Sequence, residues 1–128
     1  MRIEHIAFNV NDPVAMAEWY CGNLGMTVIR QGPPPANARY VADSARNTVL
    51  ELYTNPPDAV PDYASMDPMV LHVAFCADDV AATRERLMAA GATPVGEVTE
   101  SENGDVLAML RDPWGLAIQL ARRAEAMV

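Results

Sequence analysis

The two histidines of the chain, His5 and His72, begin two similar segments. The first reads His-Ile-Ala-Phe-Asn-Val-Asn-Asp, and the second, half a chain later, reads His-Val-Ala-Phe-Cys-Ala-Asp-Asp. Glu51 and Gln119 also stand at corresponding places, inside the apolar triplets Leu-Glu-Leu and Ile-Gln-Leu. Imidazole nitrogens, a carboxylate and an amide oxygen together suit Zn, Ni, Co, Fe or Mn. The four residues are therefore a candidate site for one divalent metal ion.

These donors need strands to position them, and strand alternation predicts which face they occupy. Glu51 and Gln119 each lie between two large apolar residues, which must point to the opposite face. Small or modest side chains share the donors' face and leave room for a ligand. Burying an unpaired carboxylate would be costly, which favours a bound metal. The alternative interpretation is a metal-free cluster of hydrogen-bonded side chains.

The repeat predicts the same order of elements in both halves. Strands are expected near 2–10, 26–31, 38–43 and 47–53, and again near 70–77, 93–99, 105–111 and 116–122. Asp12 and Asp79 are placed to cap one helix in each half. Each half is thus a βαβββ module. The predicted boundaries are 1–55 for the first module, 56–68 for a proline-rich linker, 69–123 for the second module and 124–128 for a tail.

Composition limits the classes of partner. The 128 residues include nine Arg, no Lys and 17 Asp plus Glu, with a net charge of -8. This acidity argues against nucleic acids and anionic membrane surfaces, which are bound through cationic side chains. No apolar run is long enough for a membrane span, and the N-terminus lacks a signal-peptide pattern, so we expect a cytoplasmic protein. Cys21 and Cys76 fit no disulfide or metal spacing and are expected to be reduced.

The sequence resembles the vicinal oxygen chelate superfamily, which includes glyoxalase I, bleomycin-resistance proteins and extradiol dioxygenases. The residues that carry the resemblance are His5, Trp19-Tyr20, Leu24-Gly25-Met26, Leu50-Glu51-Leu52, His72, Arg111-Asp112-Pro113-Trp114-Gly115 and Gln119-Leu120. The resemblance covers nearly the whole chain and is nearest to small bacterial glyoxalase I. It implies an α+β fold in which two tandem modules form a curved mixed sheet around a central cavity. It also places the metal ligands at His5, Glu51, His72 and Gln119.

Two positions depart from glyoxalase I. That family has a Glu, its main catalytic base, where this chain has Gln119, and an Arg that holds glutathione where this chain has Asn9. Asn55 matches an Asn that contacts glutathione in the family. The resemblance therefore implies that Asn9, Tyr53 and Asn55 bind substrate and that Glu51 is the remaining candidate for the catalytic base.

The predicted function is that of a metal-dependent lyase or isomerase acting on a small substrate through an enediolate-type intermediate. One alternative is an Fe(II)-dependent dioxygenase, because His5, His72 and Glu51 are two histidines and one carboxylate. Another is a non-catalytic small-molecule-binding protein of the bleomycin-resistance type. Open sheet edges and the resemblance both predict a homodimer.

Overall fold

The protein is described here by a computed structural model covering residues 1–127, in which the chain forms two compact units. The first unit is Met1–Pro61, and the second begins at Asp62, so the division falls within the proline-rich stretch. Each unit contains one α-helix and one four-stranded mixed sheet, which confirms the α+β class and the two tandem modules. Of the tail predicted over 124–128, residue 128 lies outside the described residues.

The first unit has one helix and four strands. These are β1 (Ile6–Asn9), α1 (Pro13–Leu24), β2 (Thr27–Gln31), β3 (Arg39–Ala42) and β4 (Val49–Tyr53). The strand order is β1-β4-β3-β2, with β1 parallel to β4 and the other neighbours antiparallel. A 3-10 turn, Pro57–Ala59, follows the last strand. Because β1 begins only at Ile6, His5 lies immediately before it.

The second unit repeats this arrangement. After a 3-10 turn (Tyr63–Ser65) come β5 (Val73–Cys76), α2 (Val80–Ala89), β6 (Thr93–Glu100), β7 (Val106–Arg111) and β8 (Ala117–Arg122). The strand order is β5-β8-β7-β6, again with the first and last strands parallel. His72 lies immediately before β5, as His5 lies before β1. No helix among residues 1–127 is long and apolar enough to cross a membrane.

Both helices begin at the predicted aspartates. Asp12 Oδ1 accepts a hydrogen bond from the Ala15 amide at 3.0 Å, and Asp79 Oδ1 accepts one from the Ala82 amide at 2.9 Å. Each bond satisfies an amide that has no partner inside the first helical turn. The two caps fix the residue at which each helix begins after the preceding strand.

The apolar cores lie between each helix and its own sheet. In the first unit α1 packs against β2, β3 and β4, and in the second α2 packs against β6, β7 and β8. The side chains flanking Glu51 and Gln119 are buried: Leu50, Leu52, Ile118 and Leu120. Glu51 and Gln119 themselves are half-buried on the opposite faces. The predicted alternation is therefore confirmed on the strands that hold Glu51 and Gln119.

Two side chains have a burial unusual for their residue types. Arg84, on helix α2, is only 9% exposed, and its Nη2 donates to the Gly96 carbonyl at 3.1 Å. The long side chain reaches a carbonyl that a bulged strand leaves free. Ile6 is 44% exposed at the start of β1, an edge strand of its sheet.

Arg111 binds three backbone carbonyls of the second unit. Its guanidinium donates to Tyr63 O at 2.9 Å, Met66 O at 2.7 Å and Gly115 O at 3.1 Å. Part of the predicted linker is therefore held against the second sheet. The fixed donor geometry of a guanidinium suits such multiple contacts better than a single point charge would.

Candidate functional site

In the first unit, the structure brings His5 and Glu51 into direct contact. His5 Nε2 lies 3.1 Å from Glu51 Oε2. The other carboxylate oxygen, Oε1, accepts a hydrogen bond from the Tyr40 hydroxyl at 2.6 Å. The remaining imidazole nitrogen, His5 Nδ1, contacts the Glu4 carboxylate. Only 18% of the Glu51 side chain is exposed, so these contacts are partly shielded from water.

Tyr40 is held in place by its neighbours. It is the cross-strand partner of Glu51 on β4 and of Arg30 on β2. The His5 ring meets the Tyr40 ring edge-on, with centroids 5.8 Å apart, and the Arg30 guanidinium lies 5.7 Å from the same ring centroid. A cation over an aromatic face and an edge-on ring pair are both favourable arrangements. The phenol is thus fixed with its hydroxyl toward Glu51.

The carboxylates change the proton affinities of their neighbours. The pKa of His5 is raised, mainly by its hydrogen bond to Glu4; burial opposes this, and the charges of Glu4 and Glu51 add to it. The pKa of Tyr40 is also raised, mainly because its hydroxyl donates to Glu51, with burial and the Glu51 charge acting in the same direction. Both shifts favour the protonated form, which is the imidazolium of His5 and the neutral phenol of Tyr40.

In the second unit, His72 has a similar anchoring contact. Its Nδ1 lies 2.8 Å from the Pro68 carbonyl oxygen. A carbonyl only accepts, so Nδ1 carries the proton and Nε2 of the neutral ring is left with the lone pair. Metal-binding histidines commonly have their second nitrogen fixed in this way, by a carbonyl or a carboxylate.

Gln119 lies on β8 between Ala74 of β5 and Met109 of β7. It borders a groove of about 270 Å³ on the second unit, where the pairing of β6 with β7 shifts register between Val95 and Thr99. The residues lining the groove are Val95, Gly96, Glu97, Thr99, Leu107, Ala108, Met109 and Gln119. The surface next to Gln119 is thus mainly apolar.

Asn9 uses both ends of its amide to hold the chain after β4. Its Nδ2 donates to the Pro56 carbonyl at 2.9 Å, and its Oδ1 accepts from the Asn55 amide at 2.9 Å. Tyr53 is the cross-strand partner of Asn9 and is half-buried on the Glu51 face of β4. The side chain of Asn55 is exposed. These contacts give Asn9 an architectural role at the end of β4.

The residues present fit a divalent ion in the kind of donor they offer. His5 and His72 each have Nδ1 engaged, and Glu51 has one oxygen held by Tyr40. Within residues 1–127, however, no three His, Cys, Asp or Glu side chains come within reach of a single ion. The structure thus joins His5 to Glu51 in one unit and places His72 and Gln119 at the equivalent positions of the other.

Sequence reasoning missed two residues of this site, Glu4 and Tyr40. Glu4 adjoins His5 in the chain, but a strand starting at residue 2 would have pointed it away from the His5 face. Tyr40 could have been found by pairing the predicted strands 38–43 and 47–53 as a hairpin. The register of that pairing, Tyr40 opposite Glu51, is what the sequence did not specify.

The sequence as a whole matches a known family. The model of the Glyoxalase/Bleomycin resistance protein/Dioxygenase superfamily matches residues 2–120. The chain belongs to this superfamily. Among curated proteins, none matches the sequence. The family assignment confirms the resemblance identified from the two histidine segments and the Asp-Pro-Trp-Gly turn.

Several solved structures share the fold. A glyoxalase family protein from Bacillus cereus is 20% identical, with a TM-score of 0.81, over 98% of this chain and 95% of that one. A glyoxalase I mutant from Zea mays is 25% identical, with a TM-score of 0.75, over 97% of this chain but 46% of that one. TnmS3, an antibiotic-binding protein from Streptomyces sp. CB03234, is 24% identical, with a TM-score of 0.69, over 97% and 99%.

Proposed function

We propose that this superfamily member is a metal-dependent lyase or isomerase of the glyoxalase type, with a small-molecule substrate. His5, Glu51 and His72 hold one divalent ion, and Gln119 is a weaker fourth ligand. The observation that carries the proposal is the 3.1 Å approach of His5 Nε2 to Glu51 Oε2, with the outer atoms of both side chains anchored by Glu4 and Tyr40. An imidazole nitrogen and a carboxylate oxygen are both donor types that divalent transition metals bind.

The charge of each side chain decides which step of the proposed reaction it can perform. When bound, the ion polarises a substrate carbonyl and makes the adjacent C–H bond more acidic. The carboxylate of Glu51 is the candidate base for this proton, once it has left or loosened from the ion. Gln119 offers an oxygen donor but no comparable basicity. Asn9, Tyr53 and Asn55 remain the proposed substrate-binding residues, with Asn9 acting through the backbone that its amide holds.

A second candidate is a protein that binds a small molecule without turnover. The apolar groove beside Gln119 favours it, because such a surface can hold a ligand with no reacting group nearby. The similarity in fold to an antibiotic-binding protein is consistent with this reading. An Fe(II)-dependent dioxygenase would use the same three ligands, His5, His72 and Glu51, and is distinguished by its metal.

Metal content is the experiment that tests the proposal. Untagged protein, purified without added metal and then reconstituted separately with Zn, Ni, Co, Fe and Mn, is analysed by mass spectrometry. We expect one ion per chain in the wild type, and strong loss in His72→Ala and Glu51→Ala. Glu18→Ala removes an exposed carboxylate from α1 and is expected to keep the ion. Absence of metal from the wild type under every condition would leave the binding protein as the better account.

A further inference from the structure

The two sheets differ in what lies beside their candidate ligands. In the first unit, the neighbour of Glu51 on the adjacent antiparallel strand is Tyr40, whose hydroxyl donates to Oε1 at 2.6 Å. In the second unit, the corresponding neighbour of Gln119 is Met109. A thioether has no proton to donate. The charged candidate ligand is thus paired with a donor, and the neutral one with an apolar side chain.

The Tyr40 contact determines how Glu51 can bind an ion. A carboxylate has two oxygens and can use one or both of them as ligands. Here Oε1 is occupied by the phenol, while Oε2 lies 3.1 Å from His5 Nε2. Rotation of the carboxylate would break the Tyr40 hydrogen bond, so Oε2 is kept on the His5 side.

The Tyr40 side chain is itself fixed, which a positioning residue requires. The Arg30 guanidinium and the His5 ring both contact the phenol ring. With the ring held in this way, the hydroxyl stays directed at Glu51 Oε1, 2.6 Å away. Preorganisation by such outer contacts commonly sets the affinity of a metal site.

We propose that Tyr40 is a positioning residue that fixes Glu51 as a one-oxygen ligand, with Oε2 directed toward the ion beside His5. This inference rests on the proposed metal site and adds a residue that does not touch the ion. It assigns the hydroxyl of Tyr40, and not its ring, as the functional group.

The test measures metal affinity without substrate. The dissociation constant for Zn²⁺ is determined by competition with a chromophoric chelator for the wild type, Tyr40→Phe and Tyr20→Phe. Tyr40→Phe keeps the ring and removes only the hydroxyl. Tyr20→Phe makes the same chemical change in helix α1, inside the core. We expect Zn²⁺ binding to weaken about 10- to 100-fold in Tyr40→Phe and to stay unchanged in Tyr20→Phe.

Two further measurements separate positioning from folding. The visible spectrum of the Co²⁺-loaded protein should change in Tyr40→Phe while its melting temperature stays near that of the wild type. In a Glu51→Ala background, Tyr40→Phe should have no additional effect on Zn²⁺ affinity, because its target is gone. Wild-type affinity and spectrum in Tyr40→Phe would overturn the inference and leave the metal site standing. A wild type that binds neither ion would overturn the metal site itself, and the role of Tyr40 with it.

Discussion

Glu51 and Gln119 occupy the same position in their respective sheets, because each is the cross-strand partner of an alanine in the parallel first strand. The partners are Ala7 and Ala74. The two positions therefore have the same backbone setting but differ in charge. One module can supply a base, and the other can supply only a neutral oxygen.

This difference predicts that Gln119→Glu raises glyoxalase activity. The wild type should act weakly or not at all on the glutathione hemithioacetal of methylglyoxal, because an amide is not a general base. Since Glu is nearly isosteric with Gln, the substitution should restore about 10²- to 10⁴-fold in rate. Thioester formation is followed by absorbance with Ni and with Zn. Gln31→Glu adds the same charge on an exposed strand and should have no effect; rapid turnover by the wild type would contradict the role given to position 119.

Two glycines should respond oppositely to alanine. Gly115 has φ +91°, and a Cβ there would lie 2.7 Å from the Ala64 backbone nitrogen. Gly115→Ala should destabilise the protein by about 2 kcal/mol or more, through strain and overlap. Gly22, in helix α1, has open space around it, so Gly22→Ala should stabilise by about 0.5–1 kcal/mol. Urea denaturation measures both, and equal effects would show that this contact does not limit position 115.

Asp105 should make stability depend on pH. Its pKa is lowered, first by the hydrogen bond from the Ala124 amide and then by that from Arg123, while burial opposes the shift. Because the folded pKa lies below the unfolded one, its contribution is present above the unfolded pKa and is lost as pH falls through the folded value. Asp105→Asn should therefore lower the melting temperature at neutral pH and differ little from the wild type in strong acid. A difference independent of pH would exclude the charge as its source.

The oligomeric state is predicted from the sheet edges. Ile6 on β1 and Ile29 on β2 are exposed to a similar extent, on the two edge strands of the first sheet. The β1 edge also has exposed Ile3 before it, whereas Arg30 adjoins Ile29 and charge disfavours strand-edge association. Light scattering should give twice the chain mass of 13.9 kDa. We expect Ile6→Glu to weaken the dimer more than Ile29→Glu does, and a wild-type particle of the chain mass would refute the prediction.

The fold could be predicted from the sequence because the helix caps and the strand alternation indicated the same elements as the internal repeat. Asp12 and Asp79 cap their helices as predicted, and the alternation around Glu51 and Gln119 gives the observed buried faces. These features depend on a few neighbouring residues. Because the sequence repeats, each feature is predicted once in each half, and a wrong prediction in one half would disagree with the prediction in the other.

The contacts of the site were harder to predict, because they depend on register and on long side chains. Tyr40 meets Glu51 only because β3 and β4 pair in one particular register. Arg84 and Arg111 bind backbone carbonyls far from them in sequence, which composition and helical periodicity do not reveal. From the sequence alone, an arginine on a helix or strand is predicted to be exposed. Only the folded structure shows which backbone carbonyl accepts its hydrogen bonds.

The register of β4 has a consequence for how the chain can change in length. Insertion or deletion of one residue within β4 would turn Glu51 toward the apolar core and a leucine toward the ligand face. Such a change would bury a carboxylate in the core and expose a leucine, so the variant would be strongly destabilised. Length changes in loops such as 33–37 avoid this penalty. The need for a stable core thereby also keeps Glu51 on the face of the sheet that carries the candidate site.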